Sequence, residues 1–326
     1  MIALKPERKP PPRIVAVCGG KGGVGKSTVA VNLAMAMGRL GHRVTLVDAD
    51  LGAANLHTML GVVRPTRGIA EFFDHQIETL EEARIQVGMP TVSLVPGTSR
   101  PGSANINHGQ KLRLLRAISR LDTDCVIVDV GAGTSYSVVD LVGIADVKLF
   151  VVTPQLPSLH NAYALLKACV HRVVTKIADD DYDQRQINTA LAHDNTTRTI
   201  PELLAQLRPG APELADKVVD LLLRFGVGLV GNQMGNDDVN VLRRMSSMIY
   251  DHLLIHAPVM GIVRRSSSLN GGLFAGAGTV VDRSDDVYPS FRRLAASVLE
   301  VDLMRLRGIA RTSHKAATVP LWVLRE

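Results

Sequence analysis

Short runs of apolar, mostly β-branched residues recur along the chain, and segments with helical spacing lie between them. Several runs are apolar almost throughout, which is typical of strands covered by helices on both faces of a parallel sheet. The pattern predicts strands at residues 13–18, 43–48, 91–95, 125–129, 147–153, 226–232 and 259–263. It predicts helices at about residues 27–40, 109–121, 136–144, 157–173, 237–252 and 288–307. This alternation indicates an α/β fold: a doubly wound, mostly parallel sheet with helices on both faces.

The chain divides into three parts: a basic, proline-rich lead-in at residues 1–12, a single domain at 13–307 and a tail at 308–326. The segment at about residues 175–223 interrupts the alternation, and we interpret it as a helical insertion. Within it, Thr199 and Glu202 have the spacing of a capping box, which starts a helix. The insertion is too short to build a core of its own.

The composition is that of a globular protein and excludes wholesale disorder, since 46% of the residues are hydrophobic and 21% are charged. The net charge is +6, and the excess of Lys and Arg lies in residues 1–13 and 241–326. We interpret these ends as an ordinary solvated surface, and contact with nucleic acid or an anionic membrane is the alternative.

The three cysteines, Cys18, Cys125 and Cys169, lie far apart and form no CxxC pair. This spacing argues against a disulfide framework, a zinc ribbon or a cysteine-ligated cluster. No apolar run approaches the ~20 residues needed to span a bilayer, and the first residues have no secretory signal. We therefore expect a cytoplasmic protein.

The most specific motif is the segment Gly-Lys-Gly-Gly-Val-Gly-Lys-Ser-Thr at residues 20–28. It matches G-x-x-x-x-G-K-[ST], follows a predicted strand and opens a helix, which is the context of a phosphate-binding P-loop. Its glycines let successive backbone N–H groups surround phosphate oxygens, and the helix N-terminus adds the positive end of its dipole. In such a loop Lys26 reaches the β- and γ-phosphates, Ser27 binds Mg²⁺ and Thr28 lies near the α-phosphate. A glycine-rich turn without a ligand is the alternative.

Lys21 adds a second cation to this loop, and ordinary P-loops have no fixed lysine there. With it, the segment resembles the deviant Walker A motif of the MinD/ParA ATPases, which are SIMIBI-type P-loop NTPases. The resemblance assigns ATP binding to Gly20, Lys21, Gly22, Gly23, Val24, Gly25, Lys26, Ser27 and Thr28. In that family the first lysine contacts the nucleotide of the facing subunit, so Lys21 implies an ATP-bridged sandwich homodimer, with Lys21 and Lys26 catalytic. A solvated lysine is the alternative.

Two carboxylates, Asp48 at the end of the predicted strand 43–48 and Asp50 two residues later, are expected to face the crevice where α/β sheets bind ligands. Taken alone, paired aspartates after a strand are more often turn or helix-cap residues. The D-x-D-x-G-x-x-N stretch resembles the switch I segment of the family. The resemblance implies that Asp50 is catalytic, orienting the attacking water and the Mg²⁺ shell. It implies that Asp48 supports the loop and the metal waters, and that Asn55 helps to hold the closed dimer.

The strand at 125–129 has the Walker B form, four apolar residues before Asp129. Asp129 is expected to accept a hydrogen bond from a Mg²⁺-bound water, because Mg²⁺ usually keeps several waters. The metal candidates are therefore Ser27, Asp50 and Asp129. Gly131 follows in a segment that resembles switch II, where glycine lets the backbone approach the γ-phosphate. Asn232 corresponds to the family's adenine contact, and a strand-end turn residue is the alternative.

The resemblance is close from residue 13 to about residue 167, where it favours the MinD-like branch that includes FlhG, the flagellar-number regulator. The last third is less similar, and Arg264-Arg265-Ser266 stands where the family usually has an acidic or polar residue. The sequence does not explain the insertion at 175–223.

The function implied by the resemblance is an ATP-hydrolysing switch for division-site, flagellar-number or polar positioning, stimulated by a protein partner. A membrane surface is a further possible partner, although the apolar spacing around Phe291 and Leu294 is more typical of a core-facing helix than of an anchor. A ParA-type ATPase that moves DNA cargo and a slowly hydrolysing nucleotide-dependent scaffold are the alternatives. The tail holds Trp322, and we expect it to dock onto the chain's own body or a partner.

Overall fold

The computed structural model describes the chain at residues 10–100, 103, 105–191, 199–235, 238–266, 269 and 280–301. Its strands are β1 (Arg13–Cys18), β2 (Val44–Ala49), β3 (Ile85–Gln86), β4 (Val92–Val95), β5 (Cys125–Val130), β6 (Val147–Val152), β7 (Val227–Met234) and β8 (Val259–Arg264). Its helices begin with α1 (Lys26–Arg39), α2 (Leu56–Met59), α3 (Ile69–Phe73), α4 (His108–Ile118), α5 (Tyr136–Gly143) and α6 (Leu156–Thr175). They continue with α7 (Asp181–Leu191), α8 (Ile200–Leu207), α9 (Pro212–Leu223), α10 (Val239–Leu253) and α11 (Tyr288–Glu300).

The strands form one sheet in the order β3-β4-β2-β5-β1-β6-β7-β8. Every pair of neighbours runs parallel except β3 with β4. The chain leaves β1 towards one edge of the sheet and, after β5, continues towards the other edge. The carboxyl end of β1 is therefore a topological switch point, where open α/β sheets bind their ligands.

Helices cover both faces of the sheet, as the alternation of apolar runs predicted. The apolar residues of α1, α2 and α11 pack with one face of the strands, and those of α3 to α10 pack with the other. Strands buried on both sides must be apolar at successive positions, which explains the near-continuous runs in β1, β5 and β6.

The structure adds short elements that the pattern did not predict. They are β3, two residues that pair antiparallel with β4 at the sheet edge, the short helices α2 and α3, and a 3₁₀ turn at Leu80–Ala83. Each is too short to repeat a hydrophobic period, so no periodic signal exists for it. The predicted helix at 288–307 ends at Glu300 in α11, and its last positions lie outside the described residues.

The segment at 175–223 contains α7, α8 and α9, and the capping box of Thr199 and Glu202 is present at the start of α8. Buried residues of these helices, such as Ile187, Leu204 and Val218, belong to the same hydrophobic core as α6 and α10. Three of the stretches outside the described residues are residues 192–198 of this segment, residues 1–9 of the lead-in, and residues 302–326, which include the whole tail. Within the described part of the chain, no helix is long and apolar enough to cross a membrane.

Candidate nucleotide site

The glycine-rich loop joins the end of β1 to the start of α1 at the centre of the sheet. Gly23 and Gly25 have φ angles of +80° and +90°, values that favour glycine because it has no Cβ. Space is open around Gly22 and Gly23, and the Lys21 side chain is exposed, whereas Lys26 is buried. The loop therefore presents its tip and Lys21 to the outside while it holds Lys26 against the sheet.

The base of the loop packs closely against neighbouring backbone. A Cβ added to Gly20 would lie 1.9 Å from the carbonyl oxygen of Asn161 in α6, and one added to Gly19 would lie 2.9 Å from that of Val151 in β6. Only glycine fits such an approach. Sequence reasoning did not assign a role to Asn161, because its contact with the loop exists only in the folded chain.

Asn232 lies at the loop rather than on an open surface. Its side-chain Nδ2 donates a hydrogen bond of 2.9 Å to the carbonyl of Val24, and the same nitrogen would meet a Cβ on Gly25. Its Oδ1 is buried and has no hydrogen-bond partner among the described residues. The amide nitrogen thus holds the loop, and Oδ1 is the atom left for a ligand.

Two of the predicted carboxylates stand side by side. Asp48 in β2 and Asp129 in β5 are register partners on neighbouring strands, so both side chains project to the same face. That face is the one that α1 covers, because the apolar residues flanking both aspartates pack towards the opposite face. The sequence predicted that both aspartates would lie at the carboxyl edge of the sheet. It did not predict that they would lie directly beside each other on neighbouring strands.

Asp48 is fixed by its own chain. Its Oδ2 accepts hydrogen bonds from the backbone N–H groups of Asn55 (3.0 Å) and Leu56 (2.9 Å), and its Oδ1 has no partner in the described structure. Burial raises the pKa of this carboxyl to about 6, and the Leu56 N–H opposes the rise. The Asn55 side chain itself is exposed, so the contact to Asp48 is made by its backbone. A Cβ on Gly97 would lie 2.5 Å from the Asp48 carbonyl oxygen, which makes Gly97 part of this support.

Asp129 is the least satisfied group of the site. It is buried, and neither carboxylate oxygen has a partner at hydrogen-bond distance and angle among the described residues, although the Ser27 hydroxyl lies near enough to favour the charged form. Burial raises the pKa of Asp129 to about 7, the nearby Asp48 carboxylate adds to the rise, and Ser27 and Lys26 act against it. Buried acceptors without partners are costly, so this position favours a bound cation or ordered water.

Asp50 follows β2 and is only partly buried. A Cβ on Gly131 would lie 2.9 Å from its Oδ1, so the carboxylate rests against the backbone after β5. The two segments that resemble switch I and switch II therefore touch through Asp50 and Gly131. A side chain at Gly131 would push the Asp50 carboxylate away.

A known protein family matches the part of the chain that holds the loop. The family described as ParA, NUBPL iron-transfer P-loop NTPase, matches residues 12–177, about half of the chain. The chain belongs to the MinD/ParA family of P-loop NTPases. The matched region contains the loop, both buried aspartates and Asp50, while Asn232 lies beyond it.

Relatives within the MinD/ParA family include the antiactivator FleN of Pseudomonas aeruginosa, which is 40% identical over 160 residues. That alignment covers 48% of this chain and 56% of FleN, and the chain spans about half the length of the curated relatives it matches. MinD from Pyrococcus horikoshii OT3, solved with Mg-ADP, has a TM-score of 0.57 at 18% identity. The superposition covers 88% of this chain and 96% of the MinD chain. A ParA family ATPase from Chlorobium tepidum TLS has a TM-score of 0.59 at 18% identity, over 87% and 98% of the two chains. These structures establish the fold.

The iron-transfer part of the family description has no counterpart in the cysteines of this chain. Cys18, Cys125 and Cys169 are all free and buried, in β1, β5 and α6. Burial raises the pKa of each thiol, to about 12 for Cys125 and Cys169, and keeps all three protonated. Because metal clusters are held by thiolates, these cysteines are core residues.

Proposed function

We propose that the chain is a Mg²⁺-dependent ATPase that works as a spatial switch, closing face to face with a second copy on two nucleotides. The observation that carries this proposal is the unsatisfied Asp129 carboxylate, buried in register with Asp48 on the face that carries the P-loop helix. A buried pair of carboxylates beside Lys26 and Ser27 gains most from a ligand that brings a divalent cation.

The residues of the site fit a nucleotide with its metal. The backbone of residues 20–25 would surround the phosphates, Lys26 would contact the β- and γ-phosphates, and Thr28 would lie near the α-phosphate. Ser27, Asp50 and Asp129 would hold the metal and its waters. Bound Mg²⁺ would reduce the electrostatic repulsion between the negative phosphates and the carboxylates of Asp48 and Asp129.

The reacting groups would come from both copies. Asp50, held at Gly131, would orient the water that attacks the γ-phosphate. Lys21 is exposed, beside the open space at Gly22 and Gly23. A facing copy would place its Lys21 on this chain's phosphates, where a second cation stabilises the charge of phosphoryl transfer.

The spatial role is inferred from the names of the relatives. FleN is an antiactivator, and other relatives, from Synechocystis and Helicobacter pylori, are septum or flagellum site-determining proteins. We infer that the closed dimer of this chain recruits a protein partner at a division, flagellar or polar site, and that this partner stimulates a slow hydrolysis.

The proposal is tested by phosphate release and nucleotide binding in Lys21→Ala and Lys26→Ala variants. Lys26→Ala should abolish binding or hydrolysis. Lys21→Ala should bind ATP normally and lose turnover by about 10³-fold, because it removes only the contribution across the dimer. Lys217→Ala, at another exposed lysine, paired with Asp179 and far from the loop in sequence, is the matched control and should keep full activity. Full turnover in Lys21→Ala would refute the facing-copy mechanism.

A further inference from the structure

The sheet ends at β8, which has a neighbour on one side only within the described residues. Its open side lies in a groove of about 360 Å³. The groove is lined by Val259, Met260, Gly261, Ile262 and Arg264 of β8, by Gly235 and Val239 near the start of α10, and by Ser290, Arg293 and Ser297 of α11. Because α10 and α11 pack on opposite faces of the sheet, the groove encloses the strand edge from both sides.

An enclosed strand edge is the geometry in which an extended segment adds as a further strand. Backbone N–H and C=O groups on the open side of β8 need partners, and long uncovered edges favour aggregation. The groove has both kinds of lining that such a segment needs: apolar side chains at Val239, Met260 and Ile262, and polar groups at Ser290 and Ser297.

Two arginine side chains at the groove indicate what kind of chain segment could dock there. Arg264 and Arg293 line it, and neither has an ion-pair partner in the described part of the chain, although Arg293 Nη2 lies 3.4 Å from the Ser290 hydroxyl. A guanidinium can lie over the face of an aromatic ring, and tryptophan is the best such partner. Together with the apolar lining, the two arginines make an extended apolar segment with an aromatic residue a suitable occupant.

The tail of this chain has one segment of that kind. Residues 319–324 read Val-Pro-Leu-Trp-Val-Leu, apolar at every position, as expected for a strand that is covered on both faces. Trp322 is the only tryptophan in the chain. Pro320 is compatible with an edge strand, where a missing N–H can face solvent.

The tail can reach the groove. Ser297 lines the groove in the last turns of α11, and the helix ends at Glu300. Residues 301–318 then separate α11 from the Val-Pro-Leu-Trp-Val-Leu segment. At about 3.3 Å per extended residue, this linker is several times longer than the stretch of α11 from Ser290 to Ser297, at about 1.5 Å per residue.

We propose that residues 319–324 dock in the β8 groove of their own chain as an added edge strand, with Trp322 against Arg293 or Arg264. The docked segment closes the open edge of the sheet and ties the tail to α10 and α11. This proposal does not depend on nucleotide binding at the P-loop, which lies at the centre of the sheet.

The intrinsic fluorescence of Trp322 in the full chain tests it without any label. We expect its emission to lie at shorter wavelength than in the urea-unfolded chain and its quenching by acrylamide to be weaker. Arg293→Glu removes the guanidinium, and Ser297→Arg fills the groove. Both should shift the emission towards the unfolded reference and increase quenching, while circular dichroism shows that the fold is kept.

Arg292→Glu is the matched control, because it makes the same charge change on the same helix at an exposed position that does not line the groove. It should leave the emission unchanged. Native emission equal to that of unfolded chain would overturn the proposal, as would a protected Trp322 that neither groove variant releases. Protection that appears only at high protein concentration would show docking between copies and would overturn docking within one chain.

Discussion

At the scale of single residues, the site is defined by groups that the chain leaves unsatisfied or crowded. Asp129 and Asp48 are register partners on neighbouring strands, on the face of the sheet that α1 covers. Gly20 is confined by the carbonyl of Asn161, and Gly25 by the side chain of Asn232. Sequence motifs identified the aspartates and the loop glycines, because a P-loop after a strand has a fixed local pattern. They could not identify the contacts of Asn161, since 140 residues of chain separate it from the loop and only the fold joins them.

The crowding at Gly20 leads to a prediction with a built-in control. Gly20→Ala should destabilise the chain by about 1–3 kcal/mol and weaken nucleotide binding, because its Cβ would overlap the Asn161 carbonyl. Gly22→Ala should leave the stability unchanged, since no atom lies within 4 Å of its Cβ position. It is a control for stability only, because Gly22 belongs to the loop that would surround the phosphates. Thermal unfolding measures the stability of both variants, and titration with a fluorescent ATP analogue measures the binding of Gly20→Ala. Equal thermal stability of the two variants would show that Gly20 is not confined as described.

Asp129 predicts how stability depends on pH in the nucleotide-free chain. The folded pKa of about 7 is above the ordinary value of 3.8, so folding favours the protonated form. The stability that the protonated Asp129 contributes to the fold is fully present below pH 4 and is lost as the pH rises through 7. Asp129→Asn should therefore stabilise the chain at pH 8 by up to about 4 kcal/mol and have little effect at pH 4. Urea unfolding of both proteins at the two pH values measures this, and a variant less stable than wild type at pH 8 would contradict it.

At the scale of secondary-structure elements, the long strands and helices followed from periodicity, whereas β3, α2 and α3 did not. Helices α4, α5 and α6 are held together by a buried charge network, which the spacing of hydrophobic residues does not reveal. Asp140 in α5 accepts hydrogen bonds from Lys111 of α4 (2.6 Å) and from Arg172 of α6 (3.0 and 3.2 Å). Burial alone would raise the pKa of Asp140, but these two cations hold it below its ordinary value.

Removing the Asp140 carboxylate should therefore lower the free energy of unfolding substantially. Asp140→Ala leaves two partly buried cations without their acceptor, and we expect a loss of about 3–5 kcal/mol in the free energy of unfolding. Asp220→Ala breaks only an exposed pair with Arg224 at the C-terminal end of α9 and should cost less than about 1 kcal/mol. Urea unfolding at neutral pH compares them. Similar values for the two variants would mean that the network does not join α4, α5 and α6.

At the scale of the whole molecule, the sheet order places the P-loop at the switch point and leaves Lys21 exposed. The α/β class was predicted from the alternation of elements, and the two helical layers confirm it. The register of β2 with β5 and the joining of α7, α8 and α9 to the common core could not be predicted, because both depend on contacts between distant segments. The central claim, a dimer closed by ATP, concerns two whole chains and must be tested on them.

The most direct test is the molar mass by size-exclusion chromatography with light scattering, in ADP and in ATP with Mg²⁺, for wild type and Asp50→Ala. We predict one chain mass with ADP and twice that mass with ATP. The dimer should accumulate in Asp50→Ala, because the variant binds ATP but does not orient the attacking water. A mass that is the same in both nucleotides, for both proteins, would contradict the ATP-closed dimer.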